Sequence, residues 1–244
     1  MNELAHIAEF RSVLDGYNLS NRARAILKQT KLVILTAASA SGRNTIIGEL
    51  LRTDEYYFIV SDTTRQPRKN NGLLEVHGRE YWFRTEQAIL DDLKRGEFLE
   101  AEVIHGQQVS GISIRELEAA NASNKIAVAD VDIGGVHNIM RLKPDTVPIL
   151  VLPPSFDEWQ RRIRGRGNMP EAEFKRRLQT SARIFQEGLI NQKFRIVIND
   201  KLERAAIAVH QIVTLDQIDQ AEQDAGRRLI EQLLADTKLL LTAI

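Results

Sequence analysis

Five short apolar runs recur along the chain, at residues 31–36, 57–60, 126–131, 147–152 and 195–198. Their unbroken hydrophobicity is that of strands buried on both faces. Between them lie stretches with helical spacing, at 44–51, 113–120, 155–163 and 171–189. Strand and helix in alternation predict an α/β fold around a mostly parallel sheet. Upstream, Leu4, Ile7, Phe10 and Leu14 recur at helical steps until Gly16, and Ser20 is placed to cap a second helix. Downstream, residues 216–244 read as one long amphipathic helix, with Ile218, Ala225, Leu229 and Leu233 on one face. Ser155 and Glu158 form a capping box after Pro153-Pro154, and Pro170 suits a first helical turn.

Composition narrows the chemistry. With no Cys, disulfides, thiolate metal sites and cysteine nucleophiles are excluded. His6, His77, His105, His137 and His210 include no pair at ligand spacing. The balance of 33 Lys and Arg against 33 Asp and Glu argues against nonspecific nucleic-acid binding. No run of 18 apolar residues and no signal-like start occurs, so no membrane partner and a cytoplasmic setting are expected.

Segment 35–46, Leu-Thr-Ala-Ala-Ser-Ala-Ser-Gly-Arg-Asn-Thr-Ile, follows the first apolar run and opens a helix. That is where backbone N–H groups and a helix N-terminus receive an anion. The strict pattern Gly-x-x-x-x-Gly-Lys-Ser/Thr fails at three places, which hold Ala37, Arg43 and Asn44. Arg43 keeps the lysine's charge as a planar fork instead of a compact ammonium. Asn44 offers an amide oxygen to a hard cation, and Thr45 is about 100° further round the helix. By itself the segment fits either a phosphate loop or a small-residue turn without a ligand.

Other motifs bear on that choice. Ser61-Asp-Thr-Thr-Arg-Gln-Pro-Arg68 precedes Glu75-Val-His-Gly-Arg-Glu-Tyr-Trp-Phe83, then Gly96-Glu-Phe-Leu-Glu100 and Asp130-Val-Asp132. Arg161-Arg-Ile-Arg-Gly-Arg-Gly167, Lys175-Arg-Arg-Leu178 and Ile198-Asn-Asp200 complete the series. In this order they resemble the signature of the guanylate kinase family. The resemblance implies a three-layer P-loop kinase fold with a parallel central sheet, a small mononucleotide-binding subdomain and a helical lid. The family-like domain is expected at 31–214, its mononucleotide part at about 61–115 and its lid at about 160–183. Helical extensions are expected at 1–30 and 215–244.

The family's reaction, phosphoryl transfer from ATP to GMP with Mg²⁺, rests on positioning and charge neutralisation. An acceptor phosphate with a second pKa near ~6 is already largely deprotonated, so no histidine base is needed. Guanidinium groups suit both phosphates by bidentate contact. By resemblance, Ser61, Arg65, Arg68 and Tyr81 would hold the GMP phosphate. Glu100 and Asp130 would accept guanine's paired N1–H and N2–H₂ donors. ATP would lie on Ser39, Ala40, Ser41, Gly42, Arg43, Asn44, Thr45 and Asn199. Arg43, Arg162, Arg166 and Arg177 would stabilise the transferring group, and Asn44 and Asp132 would serve Mg²⁺.

Two departures from the family pattern stand out. The family's tyrosine after the base-reading Glu is missing from 106–113, leaving Ser110 or Ser113 to supply a hydroxyl, and the loop at 69–74 is lengthened. The missing tyrosine removes one phosphate contact, so a mostly intact acceptor site is expected, and the altered phosphate loop predicts a changed donor site. The expected function is a guanylate kinase with lowered turnover. The alternative is a binding module that kept the phospho-ligand pocket and lost catalysis. Within the basic residues, 23 are Arg and 10 Lys, a bias that suits small phosphorylated ligands. A monomer or a homodimer is compatible with the sequence.

Overall fold

The apolar runs form strands β1 (Leu32–Ala37), β2 (Tyr56–Phe58), β9 (Ile126–Asp130), β10 (Val147–Leu152) and β11 (Arg195–Ile198). The computed structural model describes residues 3–70, 72–165 and 169–244. Six further strands lie between β2 and β9. They are β3 (Asp62–Thr63), β4 (Lys69–Asn70), β5 (Leu73–Leu74), β6 (Trp82–Phe83), β7 (Phe98–Ile104) and β8 (Gln108–Ser113). The first helices are α1 (Ile7–Asp15), α2 (Asn21–Gln29), α3 (Arg43–Leu51), α4 (Glu86–Lys94) and α5 (Ile114–Ala122). They are followed by α6 (Ile133–Leu142), α7 (Phe156–Arg164), α8 (Glu171–Ile190), α9 (Leu202–Leu215) and α10 (Gln220–Thr242).

The chain divides into two compact units. The first comprises the residues up to Lys31, Tyr56–Ala129 and Arg141–Pro144. Its main sheet runs β6-β3-β8-β7, with β8 antiparallel to both neighbours. The lengthened loop at 69–74 forms the β4–β5 hairpin. Helix α1 buries Phe10 in a cluster with Ile89, Leu90 and Leu93 of α4 and Phe98 of β7. Ser20 caps α2 as the sequence predicts, its Oγ accepting from Ala23 N at 3.0 Å. Beneath the sheet, the fully buried Asp62 accepts from Arg84 at 2.8 Å and Arg115 at 2.7 Å, so part of the arginine excess serves the fold.

The second unit comprises Leu32–Glu55, Asp130–Met140 and Asp145–Ile244. Here β11, β10 and β1 pair in parallel, with Leu35 opposite Ile149 and Leu152 opposite Ile198. Ile34, Leu35, Ile149, Leu150, Val151 and Leu152 are wholly buried, which explains the unbroken apolar runs. Ser155 caps α7 by accepting from Glu158 N at 3.2 Å.

The C-terminal helix differs from the sequence reading at its start and its face. Asp216 adopts a left-handed conformation (φ 48°) that ends α9, so α10 begins only after Asp219, whose carboxylate accepts from Ala221 N and Glu222 N. The buried stripe is Gln223, Gly226, Ile230, Leu233, Leu234 and Thr237, whereas Ala225 and Leu229 are half-buried. Close approach sets this rotation: a Cβ at Gly226 would lie 2.4 Å from Ile196 of β11. Gln223 fixes the register, accepting from Ile196 N at 2.8 Å and donating to Ile196 O at 2.9 Å.

Candidate functional site

In the second unit, β1 leads through residues 38–42 into α3, and this turn lines a cavity of about 530 Å³. Ser39, Ala40, Ser41, Gly42, Arg43, Asn44 and Thr45 all reach its wall. The first-turn amides of a helix lack intrahelical partners, which makes this end receptive to an anion. Ala40 takes φ 68° and Gly42 φ 89°, two left-handed residues that bend the chain around Ser41. For Ala40 that conformation costs about 1–2 kcal/mol.

Ala37, the first departure from the strict pattern, is the last residue of β1 and pairs with Val151. Its backbone is extended, so no glycine is needed there for conformation. Arg43 turns its Nη2 to the carboxylate of Asp130, and its Nε donates to Asn44 Oδ1 at 3.3 Å. Asp130 and Asp132 line the same cavity as the loop. Burial holds the Asp130 carboxyl above its usual pKa, a push that the neighbouring Arg43 only partly offsets.

The two aspartates have partners of their own. Asp130, expected to read guanine, has its carboxylate engaged by Arg43 in the loop cavity. Asp132 uses Oδ1 to accept from Gly135 N at 2.7 Å, which caps the first turn of α6.

Three side chains brace the loop. The buried Trp159 donates from Nε1 to Ser39 O at 2.7 Å and packs edge-on against Phe185, ring centroids 5.3 Å apart. Arg177 donates to Ser39 Oγ at 3.0 Å. Asn199, predicted to contact ATP, spends its amide on Ser41 O at 2.9 Å, while its own carbonyl accepts from Arg162 at 3.3 and 3.4 Å. Arg166 lies outside the described residues.

The arginines on α7 and α8 are held by glutamates one turn away. Glu158 accepts from Arg162 Nε at 2.7 Å, and Glu173 accepts from Arg177 Nε at 2.8 Å. Hydrogen bonds from Arg161 and Arg162 bring the Glu158 carboxyl down to about 2. Bonds from Arg176 and Arg177 lower that of Glu173. Acid and arginine at i and i+4 are the sequence signal of such pairs.

The first unit gathers the predicted acceptor residues differently. Arg65 binds Glu75 in bidentate fashion at 2.5 and 2.9 Å, the two side chains being only 7% and 6% exposed. Its guanidinium also stacks over Tyr81, 4.6 Å from the ring centroid, and over Phe83 at 5.5 Å. Glu75 further accepts from Arg68 N at 2.8 Å, while Arg68 Nη2 donates to Gln108 Oε1 at 3.3 Å. Arg65, Arg68 and Tyr81 thus share one cluster organised by Glu75, a residue of the quoted motif that had no assigned role. Ser61 opens this stretch, its carbonyl accepting from Trp82 N at 2.9 Å, and Glu100 stands half-buried on β7. The two serines expected to supply a hydroxyl in this segment have other partners. Ser110 donates to Thr63 Oγ1 at 2.9 Å, and Ser113 caps α5.

A sequence model of guanylate kinases matches residues 29–216. The chain belongs to the guanylate kinase family. It is 35% identical over 187 residues to a guanylate kinase of Corynebacterium efficiens, covering 75% of this chain and 94% of that one. A guanylate kinase of Myxococcus xanthus is 30% identical over 206 residues, 84% of this chain and 96% of the relative. The crystal structure of guanylate kinase from Anaplasma phagocytophilum shares the fold with a TM-score of 0.57 and 23% identity, over 83% of this chain and 94% of that one. Residues before 29 and after 216 fall outside the family match. Among the described residues, no helix is long and apolar enough to cross a membrane.

Proposed function

We infer that the protein transfers the terminal phosphoryl group of ATP to GMP, yielding ADP and GDP. The observation that carries this reading is the family match over 29–216 around a loop cavity walled by Arg43 and Arg177. The donor phosphates lie on the first turn of α3, where amides and Arg43 offset their charge. Arg177 and Arg162 supply guanidinium donors to the transferring group, the kind of stabilisation phosphoryl transfer depends on. Arg65, Arg68 and Tyr81 receive the acceptor phosphate, and Glu100 reads the guanine edge. Asp130 belongs with the donor phosphates through Arg43, which leaves base reading to Glu100. A carboxylate facing N1–H and N2–H₂ rejects adenine because its lone pairs would meet an acceptor.

Mg²⁺ usually binds through one or two carboxylates together with substrate phosphates and water. Among the described residues, no group of three or more His, Cys, Asp or Glu forms a cage. Asp130 and Asp132, both on the cavity wall, match that sparse requirement, with the exposed Asn44 as a neutral oxygen donor. When bound, Mg²⁺ would neutralise charge on the β- and γ-phosphate oxygens.

The test is a coupled ADP-release assay with ATP, Mg²⁺ and GMP, run beside AMP and CMP. GMP-dependent turnover with neither alternative acceptor active is the expected result. No GMP-dependent ADP at millimolar substrates would overturn the reading.

A further inference from the structure

The N-terminal segment outside the family match is built into the strand that carries Glu100. We propose that Tyr17 is a positioning residue for Glu100, so that this segment takes part in telling guanine from other purines. The inference rests on the assignment of Glu100 to base reading.

Strand β7 contains an irregularity at the decisive place. Phe98 pairs with Ser113 and Glu100 with Ile112, so Leu99 is one residue more than β8 can match. Such a bulge bends the strand and re-aims the side chains that follow. Because side chains alternate, one residue of slip decides which face Glu100 presents.

The N-terminal segment grips the strand just before that bulge. Tyr17 Oη donates to Phe98 O at 2.6 Å and accepts from Phe98 N at 2.7 Å, holding both backbone groups of one residue. Burial pushes the Tyr17 phenol up to about 12, which keeps its donor proton in place. Ser20 N donates to Gly96 O at 3.0 Å, and Ser20 Oγ to Glu97 Oε1 at 2.9 Å. Arg22 reaches the other oxygen of Glu97 at 2.6 Å. Gly96 is required here: its φ is 72°, and a Cβ would sit 2.5 Å from Ser20 N. The first three residues of the motif Gly96-Glu-Phe-Leu-Glu100 are therefore each held by residues 17–22. Phe98 and Leu99 are both buried, so a shift at Phe98 has no slack before Glu100.

The experiment compares GMP with IMP, which lacks the 2-amino group, by the ratio of kcat/KM. Tyr17→Phe keeps the ring and deletes both hydrogen bonds. The ratio is expected to fall about fivefold, through KM for GMP, with kcat at saturating GMP unchanged. Glu100→Gln lowers the same ratio, and adding Tyr17→Phe to it brings no further fall. Ile89→Val trims the core shared with Phe98 without touching its backbone and leaves the ratio unchanged.

A folded Tyr17→Phe protein with an unchanged ratio overturns the proposal. So does an equal fall in Ile89→Val, which would reduce the effect to a looser core. If Glu100→Gln has no effect on the ratio, the base-reading assignment falls and the proposal with it. Should Tyr17→Phe fail to fold, Ser20→Ala combined with Arg22→Leu, which removes the hydrogen bonds of both side chains to Glu97, carries the test. A smaller fall in the ratio is then expected, and no fall overturns the proposal.

Discussion

Arg65 in the first unit and Arg177 in the second belong to one predicted chemistry, yet they are held in opposite ways. Arg65 is sealed: 7% exposed, bidentate to Glu75 and stacked on two rings. Arg177 is leashed: 34% exposed, bonded through Nε to Glu173 on its own helix, with Nη1 on Ser39. A sealed guanidinium has its geometry fixed before any ligand arrives, and little side-chain entropy remains to be lost on binding. A leashed one keeps the freedom to follow a group whose charge distribution changes during reaction. The contrast suits a static acceptor phosphate on one side and a moving phosphoryl group on the other.

The largest expected effect comes from breaking the sealed pair. Arg65→Met leaves Glu75 as a buried charge without its cation, a loss of about 3–5 kcal/mol in urea denaturation. Combining it with Glu75→Met restores most of that stability and none of the GMP affinity measured by calorimetry. Restored GMP binding would mean that the pair serves the fold alone. A single variant as stable as the parent would break the distinction between sealed and leashed.

Removing the leashed arginine reads out in rate. Arg177→Met is expected to lower kcat by about 10²–10³-fold, with unfolding free energy within about 0.5 kcal/mol of the parent. Stopped-flow single-turnover kinetics and urea denaturation check the two halves. A stability loss with normal kcat would show that Arg177, too, is a structural residue.

The smallest effect concerns the leash on Arg162. Glu158 lies at about 2 in the folded chain against an ordinary 4.5, so its pairing supports the fold fully above pH 4.5 and is lost as pH falls toward 2. Glu158 is solvent-facing, so screening keeps the contribution slight. Glu158→Gln should lower the thermal midpoint slightly near neutral pH, and the two proteins should converge as pH falls toward 2. The difference should shrink at high salt. A pH-independent offset would place the effect in packing instead of charge.

Strands β1, β9, β10 and β11 were legible because burial on both faces writes a continuous apolar run. Ser20 and Ser155 were legible because a helix cap is a local bond. The sheet of the first unit was not: β3 and β6 have two residues each, too short for alternation to register. Residues 133–142 form α6 although Gly134 and Gly135 depress helix propensity, with Asp132 supplying the cap. Within the site, the loop and the α8 arginine were found by motif. The supports of the loop, Trp159 to Ser39 and Asn199 to Ser41, and the hold of Tyr17 on Phe98 in β7 escaped because they join residues 120, 158 and 81 positions apart. One sequence shows which residues exist, whereas such contacts exist only once the chain has closed on itself. The pairing of Asp130 with Arg43 escaped for the same reason, since the two are 87 positions apart.

Gln223 has a consequence outside the reaction. Its amide occupies both the N–H and the carbonyl of Ile196 on β11, the outermost strand of its sheet. An outermost strand with free backbone groups is a template on which another polypeptide can add itself, the first step of aggregation. With both groups of Ile196 taken, a further strand could add along this margin only by displacing Gln223.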